Sequence, residues 1–205
     1  KFGHKVVATS RNSGNIQCDL TDLRATQKLI NAINPDLVIN CAALTDVDYC
    51  ELNPKTAETV NVGIVRNIVE ALPSSTRLLQ LSTDQVYSGE HCCNSEDNIG
   101  PINVYGNTKL HGELEAAKSD HSLVARVNFF GGSVVTGRQS FSDWIIDKLK
   151  RGEKINAFCD AFFSPLRMET LSIMLICALQ KELSGTFNFG SNFGMSKGEF
   201  IIRIA

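Results

Sequence analysis

Residues 36–43, Asp36-Leu37-Val38-Ile39-Asn40-Cys41-Ala42-Ala43, make a short apolar run that closes on small residues. A run of this length without polar alternation predicts a strand. The small residues after it let another group approach the backbone. Upstream, Lys5 to Ser10 predicts a buried strand and Ile16 to Cys18 a shorter one. Asp22 to Ile33 predicts a helix with Leu23, Leu29, Ile30 and Ile33 on one side. Downstream, Pro54 to Leu72 predicts a helix whose buried stripe is Val60, Ile64, Val65, Ile68 and Val69. A strand over Arg77 to Leu81, a helix over Val104 to Lys118 and a strand over Ser122 to Val127 follow. Phe129-Phe130-Gly131-Gly132 then opens an irregular region. Helices over Ser140 to Lys150 and Met168 to Leu183 and a strand over Thr186 to Phe189 complete the pattern, and Ser196 to Ala205 reads as the opening of another helix.

Strands that alternate with helices in this way predict an α/β fold, a doubly wound parallel sheet of Rossmann type covered on both faces. Such sheets bind ligands at the carboxyl ends of their strands. Ser10-Arg11, Asn40 to Ala43, Ser82-Thr83 and Val127 to Phe129 all fall at those ends, so separate segments converge on one crevice. The expected division is a nucleotide-binding core over 1–127, a small substrate-binding lobe over 128–160 and 184–205, and a return to the core over 161–183.

A formal net charge of -2 with scattered Lys and Arg leaves no electrostatic footprint for nucleic acid. No apolar stretch reaches the roughly 18 residues that a membrane helix needs. The cysteines at 18, 41, 50, 92, 93, 159 and 177 form no C-x-x-C pair and are odd in number, which fits a reducing cytoplasm. Cys92 and Cys93, beside His91, read as loop thiols. Asp46 and Asp48 lack a third carboxylate, so no metal is expected. Phe141 and Trp144 read as packing, and Glu113, four residues after Lys109, as a helix salt bridge.

The chemistry lies in Asn103-Val104-Tyr105-Gly106-Asn107-Thr108-Lys109-Leu110, with Leu81-Ser82-Thr83-Asp84 upstream. Residues i and i+4 share a helical face, so the Lys109 ammonium is expected beside the Tyr105 phenol, where it would favour the ionised form. A hydroxyl from Thr83 at the end of a strand would hold a carbonyl or carbinol oxygen against that phenol. The constellation implies proton transfer at an alcohol or ketone carbon.

Val38 to Asp48, Leu81 to Gly89, Tyr105 to Lys109, Asn128 to Gly131 and Phe162 to Pro165, in this order, resemble the extended short-chain dehydrogenase/reductases. Within them, the chain is similar to the dTDP-4-dehydrorhamnose reductase group. The resemblance implies an NAD(P)-dependent oxidoreductase acting on CH-OH groups, with Thr83, Tyr105 and Lys109 as catalytic triad. Tyr105 would protonate the sugar C4 oxygen as hydride arrives, and Lys109 would also hold the nicotinamide ribose. Asp19 and Leu20 would lie by the adenine, and Cys41, Ala42, Ala43 and Ser82 along the rest of the cofactor. Thr45, Val47, Asp84, Gln85 and Phe129 would line the sugar pocket. Gln85 stands where an aromatic residue is common and Phe129 where tryptophan is common. Ser10 and Arg11 stand where an acidic residue would select NADH; a guanidinium and a hydroxyl there favour the 2'-phosphate of NADPH, with NADH the alternative.

The implied partner is a nucleotide-sugar substrate, with no nucleic acid and no membrane, and the protein a monomer or homodimer. Deoxysugar or polysaccharide synthesis, as in the making of dTDP-L-rhamnose, is the implied setting. Two other readings stay open: an NAD-dependent nucleotide-sugar epimerase or dehydratase, and a non-catalytic regulatory subunit like the beta subunit of methionine adenosyltransferase. No G-x-x-G-x-x-G turn is present, although a dinucleotide fold of this type opens on a strand and such a turn. Roughly 20 to 25 further residues are therefore expected before Lys1, the size of a strand-turn-helix unit, and a tail that finishes the lobe after Ala205.

Overall fold

The computed structural model describes residues 3–89, 94–133 and 139–205, so His91, Cys92 and Cys93 lie outside the described residues. In chain order the elements are β1 (Thr9–Ser10), β2 (Ile16–Gln17), α1 (Leu23–Ile33), β3 (Leu37–Asn40), α2 (Val47–Leu52), α3 (Pro54–Glu58), α4 (Ile64–Ala71) and β4 (Arg77–Thr83). They continue as α5 (Val104–Ala116), β5 (Ser122–Val127), β6 (Phe129–Phe130), α6 (Phe141–Lys150), β7 (Phe162–Phe163), β8 (Leu166–Arg167), α7 (Met168–Gln180), β9 (Gly185–Phe189), β10 (Met195–Ser196) and α8 (Lys197–Ile204).

The main sheet runs β3-β4-β5-β9, each pair parallel. Successive side chains of a strand point to opposite faces, so each strand feeds two cores. Leu79, Leu123, Ala125 and Val127 meet Leu171 and Ala178 of α7 on one face. Leu78 and Val124 meet Ile30 of α1, Ile64, Val65 and Ile68 of α4 and Ala116 of α5 on the other. Leu78 and Leu123 are 0% exposed, and a fully buried leucine contributes roughly 1.5–3 kcal/mol. This is the doubly wound arrangement, with helices on both faces of a parallel sheet.

Local chemistry sets the helix starts. Asp22 caps α1 by accepting from the backbone N–H groups of Arg24 and Ala25, and Asn103 caps α5 by accepting from Gly106 N at 2.7 Å. Ser140 with Asp143 and Ser196 with Glu199 close capping boxes on α6 and α8.

Three elements differ from the sequence expectation. Only Thr9–Ser10 of the 5–10 run is a strand, in a two-stranded sheet of its own with Ile16–Gln17. Val6 is 80% exposed, because residues 5–7 have no ladder partner among the described residues. The helix expected over 54–72 is three pieces: α3, a π-helical turn over Thr59–Gly63, and α4. Gly185–Phe189, which the sequence division gives to the small lobe, is a strand of the main sheet paired with β5.

The small lobe rests on Ile145, Phe163, Phe200 and Ile201. The Phe130 and Phe200 rings meet edge to face with centroids 5.0 Å apart, and Phe141 stacks on Trp144 at 6.0 Å. Short pairings of β6 with β8 and β7 with β10 tie this cluster together.

Candidate active site

Strand β4 extends two residues beyond the expected end and carries Ser82 and Thr83 to its carboxyl terminus. Helix α5 lies across that terminus, and its inward residues Tyr105, Lys109 and Glu113 are 8%, 5% and 4% exposed. One helical face therefore presents a phenol, an ammonium and a carboxylate to the end of one strand. Close approach is possible because Gly106 and Gly112 carry no side chain. A Cβ on Gly106 would lie 2.2 Å from the Gln85 carbonyl oxygen, and one on Gly112 would lie 2.6 Å from that of Asn61.

The Thr83 hydroxyl lies close enough to the Tyr105 phenol to act on its pKa. Thr83 Oγ1 also approaches Asp84 Oδ1 at 3.3 Å and accepts from Gln85 N at 3.2 Å. Lys109 Nζ donates to the Leu81 carbonyl oxygen at 2.6 Å. Burial pushes the Tyr105 pKa above that of an ordinary phenol; the nearby Thr83 hydroxyl opposes this, and the carboxylate of Asp84 adds to it. Burial lowers Lys109 to about 8, with Glu113 and then Cys41 acting to hold its proton on.

These values correct the expectation that Lys109 promotes ionisation of the phenol. The two groups share the face, but desolvation dominates the phenol, and the ammonium donates to a backbone carbonyl. The arrangement keeps Tyr105 protonated at neutral pH, the form a proton donor needs.

The other predicted residues divide into two groups. Asp84 Oδ2 accepts from Asn128 Nδ2 at 2.6 Å, and burial raises its pKa. Gln85 Oε1 accepts from Asn103 Nδ2 at 2.9 Å, which ties it to the cap of α5. Val47 packs in the cluster of Cys50, Ala57 and Tyr105. Thr45 is exposed two residues before it, and Phe129, 44% exposed, opens the small lobe. Cys41 follows β3 close enough to Lys109 for their charges to couple. Ala42 and Ala43 are half-buried, and Ala42 N donates to Asn40 Oδ1 at 3.0 Å.

Arg11 and Asp19 stand together away from that group, at the ends of β1 and β2, where the Arg11 cation lowers the Asp19 pKa after the larger effect of the bonds from Thr21. The Leu20 carbonyl accepts from Asn67 Nδ2 at 2.9 Å. Two expected cofactor hydroxyls are committed elsewhere. Ser10 Oγ accepts from Ser13 N at 2.9 Å, and Ser82 Oγ donates to Glu113 Oε1. Ser82 is 5% exposed, its hydroxyl turned onto Glu113 of α5.

Glu113 is the second correction, since its ion-pair partner lies on a neighbouring strand and not on its own helix. Arg126 Nη2 reaches its Oε2 at 2.7 Å and Nε its Oε1 at 3.0 Å, with both side chains under 5% exposed. A lone cation in the otherwise apolar strand Ser122–Val127 is the sequence signal for this pair, because a buried charge requires a partner. Asn61 carried no such signal. From the π-helical turn it accepts from Leu44 N at 2.7 Å and donates to Thr108 Oγ1 at 3.0 Å, joining the 41–45 loop to α5. Among the described residues no group of three or more His, Cys, Asp or Glu could hold a metal ion.

Comparison with known proteins places this geometry. The family profile described as "RmlD substrate binding domain" matches residues 1–205. The probable low-salt glycan biosynthesis reductase Agl14 of Haloferax volcanii is 32% identical over 191 residues, covering 90% of this chain and 63% of that protein. Methionine adenosyltransferase 2 subunit beta of Rattus norvegicus is 29% identical, covering 92% and 59%. The chain thus spans less than two thirds of the length of these relatives. The crystal structure of dTDP-4-dehydrorhamnose reductase from Bacillus anthracis in complex with NADP superposes with a TM-score of 0.85 at 27% identity, over 91% of this chain and 67% of that one.

Proposed function

This chain belongs to the RmlD substrate binding domain family, and on that premise we propose that it serves an NADPH-dependent reductase of a nucleotide-linked 4-keto-6-deoxy sugar. The dTDP-4-dehydrorhamnose type is the substrate class we favour. The observation that carries this reading is the buried Tyr105 phenol, close to the Thr83 hydroxyl and one helical turn from the buried Lys109 ammonium.

The donor set supports a nicotinamide cofactor. An ammonium carries three N–H donors, and Lys109 spends one of them on Leu81, leaving donors for ribose hydroxyls. Arg11, exposed at the end of β1, is a cation for a 2'-phosphate, and the half-buried Ala42 and Ala43 leave room for a cofactor along the crevice. When bound, the reduced nicotinamide supplies hydride to the sugar C4 carbon. Thr83 then holds the C4 oxygen, and Tyr105 gives that oxygen its proton. Lys109 keeps positive charge beside the phenol as the proton leaves. Val47, Asp84, Gln85 and Phe129 contact the sugar and Thr45 its rim, while Asp19 and Leu20 adjoin the adenosine.

The free thiols at Cys18, Cys41, Cys50, Cys159 and Cys177 support a reducing compartment, and we place the protein in the cytoplasm. No helix among the described residues is long and apolar enough to cross a membrane. The similarity to methionine adenosyltransferase 2 subunit beta favours a second reading, a regulatory partner without turnover.

Incubation of the protein with NADPH and dTDP-4-dehydrorhamnose, followed at the reduced nicotinamide band, separates the two. Stoichiometric loss of absorbance supports the reductase. No change at high protein concentration rejects it and favours the regulatory subunit.

A further inference from the structure

We propose that Glu113 is a positioning residue for Lys109: clamped by Ser82 and Arg126, it fixes the strand end whose Leu81 carbonyl receives the lysine ammonium. This rests on the reading of the site as a reductase, and extends it to a residue two turns from the proton donor.

The geometry is a three-rung register between one helix and one strand. Tyr105, Lys109 and Glu113 follow one another at i, i+4 and i+8 along α5; Tyr105 lies near Thr83, Lys109 bonds the Leu81 carbonyl and Glu113 accepts from Ser82 of β4. Leu81 and Ser82 are adjacent, so the Ser82–Glu113 bond fixes the peptide whose carbonyl receives Lys109. Arg126 of β5 then fixes Glu113 from the neighbouring strand. The same guanidinium donates through Nη1 to Tyr87 Oη at 2.9 Å and to the Glu96 carbonyl at 2.6 Å, and Tyr87 Oη donates to Asn188 Oδ1 at 2.6 Å. The clamp is thereby tied to the end of β9 and to the loop before α5, and it has little freedom to yield.

The charge argument follows from what faces the ammonium. Its own helix supplies Glu113, with Tyr105 one turn before it on the same face, the end of β3 supplies Cys41, and the end of β4 supplies the Leu81 carbonyl; Thr83 and Asp84 act on the phenol. Of these, Glu113 is the largest influence opposing the effect of burial, and Arg126 shares its carboxylate from β5. A group that only packed α5 on the sheet could be neutral, and removing its charge would leave the titration of Lys109 where it was.

The test is a titration of Lys109 by NMR in protein carrying 13C-labelled lysine, its signal assigned with K109R, in the parent, E113D, E113Q and E113Q/R126M. Loss of the opposing charge is expected to lower the Lys109 midpoint by roughly one unit in E113Q, with E113D returning part of the shift. The alkaline limb of NADPH oxidation should fall with it, so that the loss of rate is smaller at pH 6 than at pH 8. The double variant removes the stranded arginine and covers the case in which E113Q does not fold; it should show the same direction of shift.

A midpoint at the parent value in whichever variant folds, with rates depressed equally at all pH values, overturns the proposal. The titration needs neither substrate nor cofactor. A lowered midpoint in a protein that oxidises no NADPH would sustain the role of Glu113 while rejecting the reductase, and an unmoved midpoint in an active reductase would reject the role alone.

Discussion

The Lys109 ammonium donates to the Leu81 carbonyl oxygen at 2.6 Å from a side chain that is 5% exposed. Holding a cation there opposes folding. Burial brings its pKa from 10.5 to about 8, so between those values the unfolded chain keeps a proton that the folded chain has released. Stability from this group therefore rises with pH across that window, and the full cost is present below about 8. Lys109→Met should stabilise the protein by about 1–3 kcal/mol at pH 7 while abolishing turnover. Urea denaturation at pH 7 and near pH 10 checks this, since the gain should shrink at the higher pH; a variant less stable than the parent at pH 7 would contradict it.

Gly63 and Gly112 sit on neighbouring helical segments and should respond in opposite ways. A Cβ at Gly112 meets the Asn61 carbonyl oxygen at 2.6 Å, an unyielding backbone atom, whereas a Cβ at Gly63 has nothing within 4 Å. Gly112→Ala should cost about 2–4 kcal/mol by overpacking. Gly63→Ala should gain up to about 1 kcal/mol from helix propensity. Chemical denaturation of the two variants reads both, and equal effects would show that the helix contact tolerates separation.

Arg11 is exposed and close enough to Asp19 for the charges to interact. If it receives a 2'-phosphate, Arg11→Ala should weaken NADPH binding about tenfold, the worth of one charge-assisted contact, and leave NADH binding nearly unchanged. Equilibrium fluorescence titration with each nucleotide measures the ratio. An unchanged ratio would remove the argument for NADPH.

The alternating strands and helices were legible because burial on both faces leaves mostly apolar runs such as Ser122–Val127, and the shared face of Tyr105 and Lys109 and the strand end at Thr83 were legible from helical spacing and the apolar run before it. Other features depend on partners far away in sequence. The π-helical turn at Thr59–Gly63 leaves no mark on the periodicity around it, and Asn61 within it is locked by Leu44 and Thr108. Glu113 looked like a partner for the lysine one turn away, yet its carboxylate bonds Arg126 on the next strand and Ser82 on the one before. Desolvation of Tyr105 was likewise invisible in the spacing that placed it beside a cation, which is why its pKa moves up.

The proton donor itself offers the most direct measurement. Single-turnover hydride transfer from NADPH to dTDP-4-dehydrorhamnose should fall by at least about a thousandfold in Tyr105→Phe, because the substitution removes the acid and little else, while NADPH binding stays within about threefold of the parent. Transfer at the parental rate in that variant would contradict the assignment of Tyr105.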